Sequence, residues 1–250
     1  MKRISRSLML AVLLVGFTLI YSGAAQMGVV VLDQGQFVVQ QGQIQLGQGS
    51  FTLVQLGSVF QLVDQTRLVI PNGPTVTFTA TLQTDGQLNP VYYVLNDLEP
   101  QGQRTIIVQI TGDTAQLLTA DPSGKSTGTS FTSSSGFVLF DNNLFGQFTV
   151  LYRRALAALD QGASSFQPTA LTPQLEQGVP LRIERGKSVE ISANGKTLKV
   201  DSLLVTTAGG QQFILLGQGN QFIALLDQGQ TTPTVFRSDL FPQGFTVASA

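Results

Sequence analysis

The chain contains no histidine, no cysteine and no tryptophan. Ser-His-Asp and Cys-His nucleophile systems are therefore excluded, because each requires an imidazole or a thiol. Metal sites built from thiolates or imidazoles are excluded on the same ground, and so are disulfide bonds. The fold must be stabilised by its core, and any chemistry must come from carboxylates, hydroxyls, lysine or arginine.

Charged residues are also scarce. They make up 12% of the chain, with 14 Lys and Arg against 15 Asp and Glu. Three of the basic residues, Lys2, Arg3 and Arg6, lie in the first 25 positions, so the remainder has 11 basic and 15 acidic residues and a net charge of −4. Nucleic-acid binding depends on clustered Lys and Arg that neutralise phosphates. A mildly acidic chain without a basic run predicts no nucleic-acid partner.

Residues 1–25 have the pattern of a signal peptide. The three basic residues precede an apolar stretch from Leu8 to Ile20, and small residues follow at 22–25. The apolar stretch is short against the roughly 20 residues that span a bilayer, which disfavours an uncleaved anchor. We therefore expect cleavage after Ala25, export to the periplasm, cell envelope or medium, and no integral membrane span after cleavage.

Short β-strands separated by turns dominate the rest of the sequence. Residues 75–82 alternate between threonine and apolar side chains, which predicts a sheet with one buried and one wet face. We interpret Asp33-Gln34-Gly35 and Gly47-Gln48-Gly49 as turns, and Asn194-Gly195 as a type I′ hairpin. The predicted fold class is mainly β, with antiparallel meanders forming a sandwich or curved half-barrel and one packed α-helix.

The strand pattern divides the chain into consecutive parts. We predict a first meander over 26–140, an amphipathic helix over 141–162, and a linker with a second meander over 163–250. All of 26–250 is expected to form one domain.

The predicted helix carries an aromatic stripe. Asp141, Asn142 and Asn143 are N-cap candidates, apolar residues recur at helical spacing, and Gln161-Gly162 is a typical C-terminal signal. Two interpretations of the stripe stay open. Its aromatic residues are Phe145, Phe148 and Tyr152. Either they pack on the sheet, or they line a ligand cavity between helix and sheet.

Two later strands lack alternation altogether. Residues 213–216 and 222–226 are continuously apolar, so both faces of these strands avoid water. Either both faces are covered by protein, or one face lines an apolar cavity. Together with the helix stripe, Phe213 and Phe222 complete the candidate set for binding an apolar or amphipathic ligand such as a lipid.

Carboxylates are the remaining candidates for chemistry. Asp97 and Glu99 are close in sequence, but they lie in a turn-like context that predicts exposure to solvent rather than a catalytic pair. The oxygen-rich residues 141–143 lack the ligand spacing of a calcium loop. We therefore expect no catalytic residue, no metal and no cofactor.

The segment Phe140-Asp141-Asn142-Asn143-Leu144-Phe145, with the helix after it, resembles exported bacterial β-rich proteins of uncharacterised function. It is more distantly similar to the curved half-barrel with a capping helix of periplasmic lipoprotein carriers. In those carriers the concave apolar face holds acyl chains. The resemblance thus implies an apolar hollow beneath the helix.

The sequence leaves three functional hypotheses. The first is a non-catalytic envelope protein that binds an apolar or amphipathic ligand. The second is a structural or adhesive surface subunit that self-associates through Gln-rich strands of low charge. The third is a carboxylate-based hydrolase.

Overall fold

A computed structural model describes residues 28–69, 73–100, 102–141 and 143–247. The predicted signal peptide lies outside these residues. The secondary structure consists, in chain order, of β1 Val29–Gln41, β2 Ile44–Leu56, β3 Val59–Val69, β4 Thr75–Thr84, β5 Pro90–Glu99, β6 Gly102–Thr111, β7 Thr114–Ala120, β8 Ser126–Thr132, β9 Phe137–Leu139, α1 Gln147–Asp160, β10 Thr169–Thr172, a 3-10 turn Pro173–Leu175, β11 Gln177–Arg185, β12 Val189–Ala193, β13 Lys196–Thr207, β14 Gln212–Gln218, β15 Gln221–Asp227, β16 Val235–Arg237 and β17 Thr246–Val247.

The strands form one large, open, mostly antiparallel sheet. Strands β1 to β8 make a meander in which each strand pairs with the next. On its other edge β1 pairs with β16, and the pairing continues through β15, β14, β13, β11 and β10. β10 pairs in parallel with β9, while β12 pairs with β13 and β17. Over the residues that the structure describes, the predicted mainly β fold with one packed α-helix is confirmed.

The alternating pattern predicted for the first meander is confirmed in β4. Its apolar residues Val76, Phe78, Ala80 and Leu82 are buried, while the intervening threonines are half-buried or exposed. The inward side chains of the neighbouring strands join them in the main core, which also receives the helix. The face of the sheet toward α1 is therefore the buried one.

Two glycine-containing segments differ from the prediction. The chain continues in strand conformation through 33–35 in β1 and through 47–49 in β2. Their glycines serve close approach rather than turning, because a Cβ on Gly35 would lie 2.4 Å from Arg237 Nε and one on Gly47 would lie 2.5 Å from the Arg67 carbonyl oxygen. By contrast, Asn194 and Gly195 have positive φ angles between β12 and β13, as the hairpin prediction requires.

Strands β14 and β15 are covered on both faces. Phe213, Leu215 and Phe222 belong to the main core beneath α1. The opposite face, with Leu216 and Ile223, packs in a second cluster that the C-terminal segment helps to close with Phe236 and Phe245. Coverage on both sides explains why these two strands lack alternation.

The helix begins later than predicted. It spans Gln147–Asp160 rather than 141–162, and its N-cap position is Gly146, which makes no side-chain capping hydrogen bond. The predicted caps Asp141 and Asn143 precede the helix, while Asn142 lies outside the described residues. The Gly146 N–H instead donates to Asp64 Oδ2 of β3 at 2.6 Å.

The two halves of the sheet are joined by a buried arginine. Arg237 of β16 is 1% exposed and donates from Nη1 to Asp33 Oδ1 of β1 at 3.2 Å and from Nη2 to the Gln34 carbonyl oxygen at 2.8 Å. Asp239 accepts two further hydrogen bonds, from Arg237 Nε at 2.8 Å and Nη2 at 2.7 Å. We call Arg237, Asp33 and Asp239 the Arg237 network.

Candidate functional site

A cavity of about 450 Å³ lies between the start of the helix and the sheet. One wall comes from the segment before α1 and its first turn. The other walls come from β1, β2 and β3 on one side and from β13, β14 and β15 on the other. The cavity therefore lies where the two halves of the sheet meet under the N-terminal end of the helix.

Aromatic side chains line much of this cavity. Phe145, Phe148 and Phe213 of the predicted set belong to its wall, together with Phe140. The Phe140 ring contacts the Phe148 ring edge to face at 5.3 Å and the Phe213 ring at 5.4 Å between centroids. Val39, Leu46, Leu68 and Leu225 complete an apolar interior.

The other two predicted residues lie deeper. Tyr152 and Phe222 are fully buried, and they are not among the described residues that line the cavity. The Phe222 ring contacts the Phe148 ring at 5.7 Å and the Tyr152 ring at 6.4 Å, so it backs the cavity wall. The structure thus brings the five predicted residues into one cluster, of which three face the hollow.

Polar groups surround the apolar interior. The rest of the lining consists of exposed Val69 and six polar residues. The polar residues all come from strand ends and loops, and they are Asp141, Asn143, Thr207, Gln211, Asp227 and Thr234. The Thr234 hydroxyl donates to Asp227 Oδ2 at 3.1 Å, and both Asp227 and Gln211 are exposed. We call these six residues the polar rim.

Asp141 is the buried member of the polar rim. Its Oδ2 accepts a short hydrogen bond from the Tyr93 hydroxyl of β5, and its Oδ1 accepts one from the Gln174 N–H at 3.1 Å. Burial raises the pKa of the Asp141 carboxyl to about 6, although these hydrogen bonds favour the charged form. Asp141, which the sequence predicted to cap the helix, instead ties the segment before the helix to β5 and the 3-10 turn.

Further buried carboxyls lie behind this segment. Asp64 is 2% exposed, and burial raises the pKa of its carboxyl to about 7 against the hydrogen bonds from the helix start. Asp97, which the sequence predicted to face solvent, is buried in β5. Burial, together with the charges of Asp141 and Asp64, raises the pKa of the Tyr93 hydroxyl well above its usual value.

Two buried residues of this region, Asp64 and Tyr93, are not among the candidates identified from the sequence. Asp64 alternates with Leu62 and Thr66 on the inward face of β3, so its period-two position was the available signal of burial. Within the described ranges, no group of three or more acidic residues is arranged to hold a metal ion. No helix among the described residues has both the length and the apolar character needed to cross a membrane.

Comparison with known proteins supports the architecture alone. No family model matches the chain, and no curated protein is similar to it in sequence. One solved structure with a similar fold is a β-barrel-like protein of the domain of unknown function DUF1849 from Brucella abortus. It aligns at a TM-score of 0.52 and 10% identity, over 86% of this chain and 94% of that chain. The chain therefore shares its β-rich architecture with a protein of unknown function.

Proposed function

We propose that the chain is an exported, non-catalytic cell-envelope protein that holds an apolar or amphipathic ligand in the cavity between α1 and the sheet. The observation that carries this proposal is the hollow of about 450 Å³ with Phe145, Phe148 and Phe213 in its wall. Small-molecule sites are typically concavities of roughly 300–1,000 Å³ with apolar walls and a few polar groups. The size and lining of this cavity match that description.

The state of Asp141 supports a binding role rather than hydrolysis. Both of its carboxyl oxygens accept hydrogen bonds from the protein itself, one from Tyr93 and one from the Gln174 backbone. A general acid or base must instead reach the proton of a substrate. Asp141 thus serves to fix the cavity wall.

Export is the second part of the proposal, and it is supported by the signal-peptide pattern of residues 1–25. Expression of the full chain in a bacterial host, followed by intact-mass measurement of the protein from the envelope fraction, tests it directly. The expected mass is that of a chain that begins at Gln26. A cytoplasmic protein of unprocessed mass would contradict export without bearing on the cavity.

Filling the cavity is expected to abolish ligand binding. Leu46 of β2 is half-buried and lines the hollow, so Leu46→Trp places an indole in the space that a ligand would occupy. We expect the affinity for the uncharged dye N-phenyl-1-naphthylamine to fall by about tenfold or more, which corresponds to about 1.4 kcal/mol. Dye fluorescence during titration of delipidated protein gives the affinity.

The matched control is Leu118→Trp. Leu118 of β7 is 47% exposed and is not part of the cavity lining. This variant is expected to bind the dye as the unmodified protein does. Equal losses in both variants, or no dye binding by the unmodified protein, would contradict the proposed ligand site.

A second candidate function, self-association, is favoured by β8. This strand pairs with β7, and no pairing on its other edge occurs among the described residues. It carries no charged residue, and most of its side chains are exposed. Edge strands normally carry charges or other devices that prevent pairing with another chain, so an uncharged edge favours strand addition between copies.

We expect Thr127→Lys to prevent this association, because it places a charge on the exposed edge strand. Multi-angle light scattering over a range of concentrations would show growing mass for the unmodified protein and a monomer for the variant. Thr79→Lys is the control, since Thr79 lies in β4 between two paired strands. A monomer at all concentrations for the unmodified protein would exclude this second function.

A further inference from the structure

We infer that the cavity selects an amphiphile whose polar head is uncharged or cationic, in preference to a fatty acid or another anionic lipid. The inference rests on the proposed ligand-binding function and adds the chemical class of the head group. It is carried by the charges of the polar rim and by the separation between the apolar interior and that rim.

The polar rim contains negative charge and neutral polar groups. Two of its six members, Asp141 and Asp227, carry carboxyl groups, and the others carry amides or hydroxyls. No lysine or arginine is present among the described residues that line the cavity. An anionic head group at this rim would meet the like charge of Asp227 without a lining cation to compensate it, which disfavours binding.

Two basic residues outside the lining leave the charge of Asp227 without a cationic partner in the described lining. Arg104 partly offsets the charge of Asp141, but it is not part of the lining, and its Nη2 donates to the Gln174 carbonyl oxygen at 3.2 Å. Arg67 is adjacent to the lining residue Leu68. Because successive side chains of a strand point to opposite faces, Arg67 is directed to the outside of the sheet, where it is exposed.

The arrangement of the lining sets the orientation of the ligand. Phenylalanine, leucine and valine side chains form the interior, while the exposed residues Gln211 and Asp227 lie at its margin. A hydrocarbon chain gains most from the apolar interior, and a polar head remains best solvated at the margin. The head group therefore meets the polar rim.

Hydrogen-bond chemistry favours a head that can donate. A carboxylate accepts hydrogen bonds and cannot donate them, so it gains nothing from an aspartate at the rim. A glycerol hydroxyl can donate to Asp227 and accept from the Gln211 amide. A cationic head gains charge attraction to Asp227 at the margin.

Displacement of N-phenyl-1-naphthylamine by three amphiphiles with the same hydrocarbon length tests the inference. The probes are 1-lauroylglycerol, dodecyltrimethylammonium and laurate, each below its micelle concentration and at about pH 8, where laurate is ionised. We expect half-displacement by the glycerol ester and by the ammonium at concentrations about tenfold lower than by laurate. Displacement by laurate at an equal or lower concentration would overturn the inference.

Two charge variants assign the effect to the rim. Asp227→Asn is expected to weaken binding of the ammonium several-fold and to strengthen binding of laurate, with the glycerol ester little changed. Asp113→Asn makes the same charge change at an exposed turn position away from the lining, and it is expected to change none of the three. Equal shifts in both variants would overturn the role of the polar rim.

The outcomes separate the two proposals. If the dye binds and laurate displaces it best, the cavity is a ligand site and the head-group inference fails. If the dye does not bind and none of the amphiphiles is retained in native mass spectrometry, the proposed ligand-binding function itself fails.

Discussion

Replacement of Arg237 by methionine is expected to lower the free energy of unfolding by about 3–5 kcal/mol, the usual cost of removing one partner from a buried ion pair. The substitution removes a fully buried cation that Asp33 and Asp239 both bind, while it keeps most of the side-chain volume. Asp33 is itself buried, and its remaining cation, Arg153, lies 3.6 Å away. Urea denaturation followed by circular dichroism measures the change.

The packing around the guanidinium adds to this cost. It lies over the Phe51 ring at 4.9 Å from the centroid, so methionine loses a cation-π contact along with the hydrogen bonds. Arg182→Met is the control, because Arg182 forms an exposed pair with Glu184. Such exposed pairs contribute little to stability, because solvent screens the charges and ordering the two long side chains costs entropy. An Arg237→Met variant no less stable than Arg182→Met would show that the Arg237 network does not hold the two halves of the sheet together.

The native state is expected to become less stable as the pH rises through neutrality, and Asp64→Asn is expected to remove much of this dependence. The folded-state pKa of Asp64, about 7, lies above its ordinary value of 3.8. The folded protein therefore binds a proton that the unfolded chain has released. Between about pH 5 and pH 8, loss of this proton from the folded state lowers the free energy of unfolding by roughly 3 kcal/mol.

The sign follows from the direction of the shift. A group with a raised folded-state pKa stabilises the fold fully below its unfolded pKa, and the stabilisation is lost as the pH rises through the folded value. Asp141, whose pKa is raised to about 6, acts in the same direction. The carboxyls with lowered pKa, such as Asp85, lose their stabilising effect at lower pH, below this window.

Urea unfolding at several pH values measures the dependence. At about pH 8 the Asp64→Asn variant is expected to be the more stable protein, because its amide still accepts the hydrogen bond from Gly146 without carrying a charge. Asp113→Asn, at an exposed turn, is expected to leave the pH profile unchanged. An unmodified protein whose stability is constant from about pH 5 to pH 8 would contradict the burial of an ionisable Asp64.

The features that the sequence predicted are those set by local pattern. Alternation in residues 75–82 and the Asn194-Gly195 hairpin depend on neighbours along the chain, and both are present in the structure. The predicted start of the helix is wrong because Asp64, 82 residues before Gly146, accepts hydrogen bonds from the N–H groups of Gly146 and Gln147. A local N-cap motif carries no information about such a partner.

In the candidate site, too, the residues set by local pattern were predicted and those set by distant contacts were not. The helical spacing and the apolar strands identified Phe145, Phe148 and Phe213, which line the cavity. The polar rim could not be predicted as a set, because the distant pairing of β1 with β16 is what brings the ends of β13 to β15 together with β1 to β3 around the cavity. Likewise, the turn that the sequence predicts at Gly35 is wrong, because this glycine makes room for Arg237, which is about 200 residues later in the chain.

The pairing of β1 with β16 also sets how the molecule must fold. Phe37 lies opposite Arg237 in this ladder, so the contact joins nearly the full length of the described chain. Proteins dominated by such distant contacts have high contact order and fold slowly. During synthesis β1 to β8 emerge long before β16, and one edge of β1 stays without its partner until the last strands arrive. We therefore expect this ladder to form late in folding, and until it forms the unpaired edge of β1 is open to association with other chains.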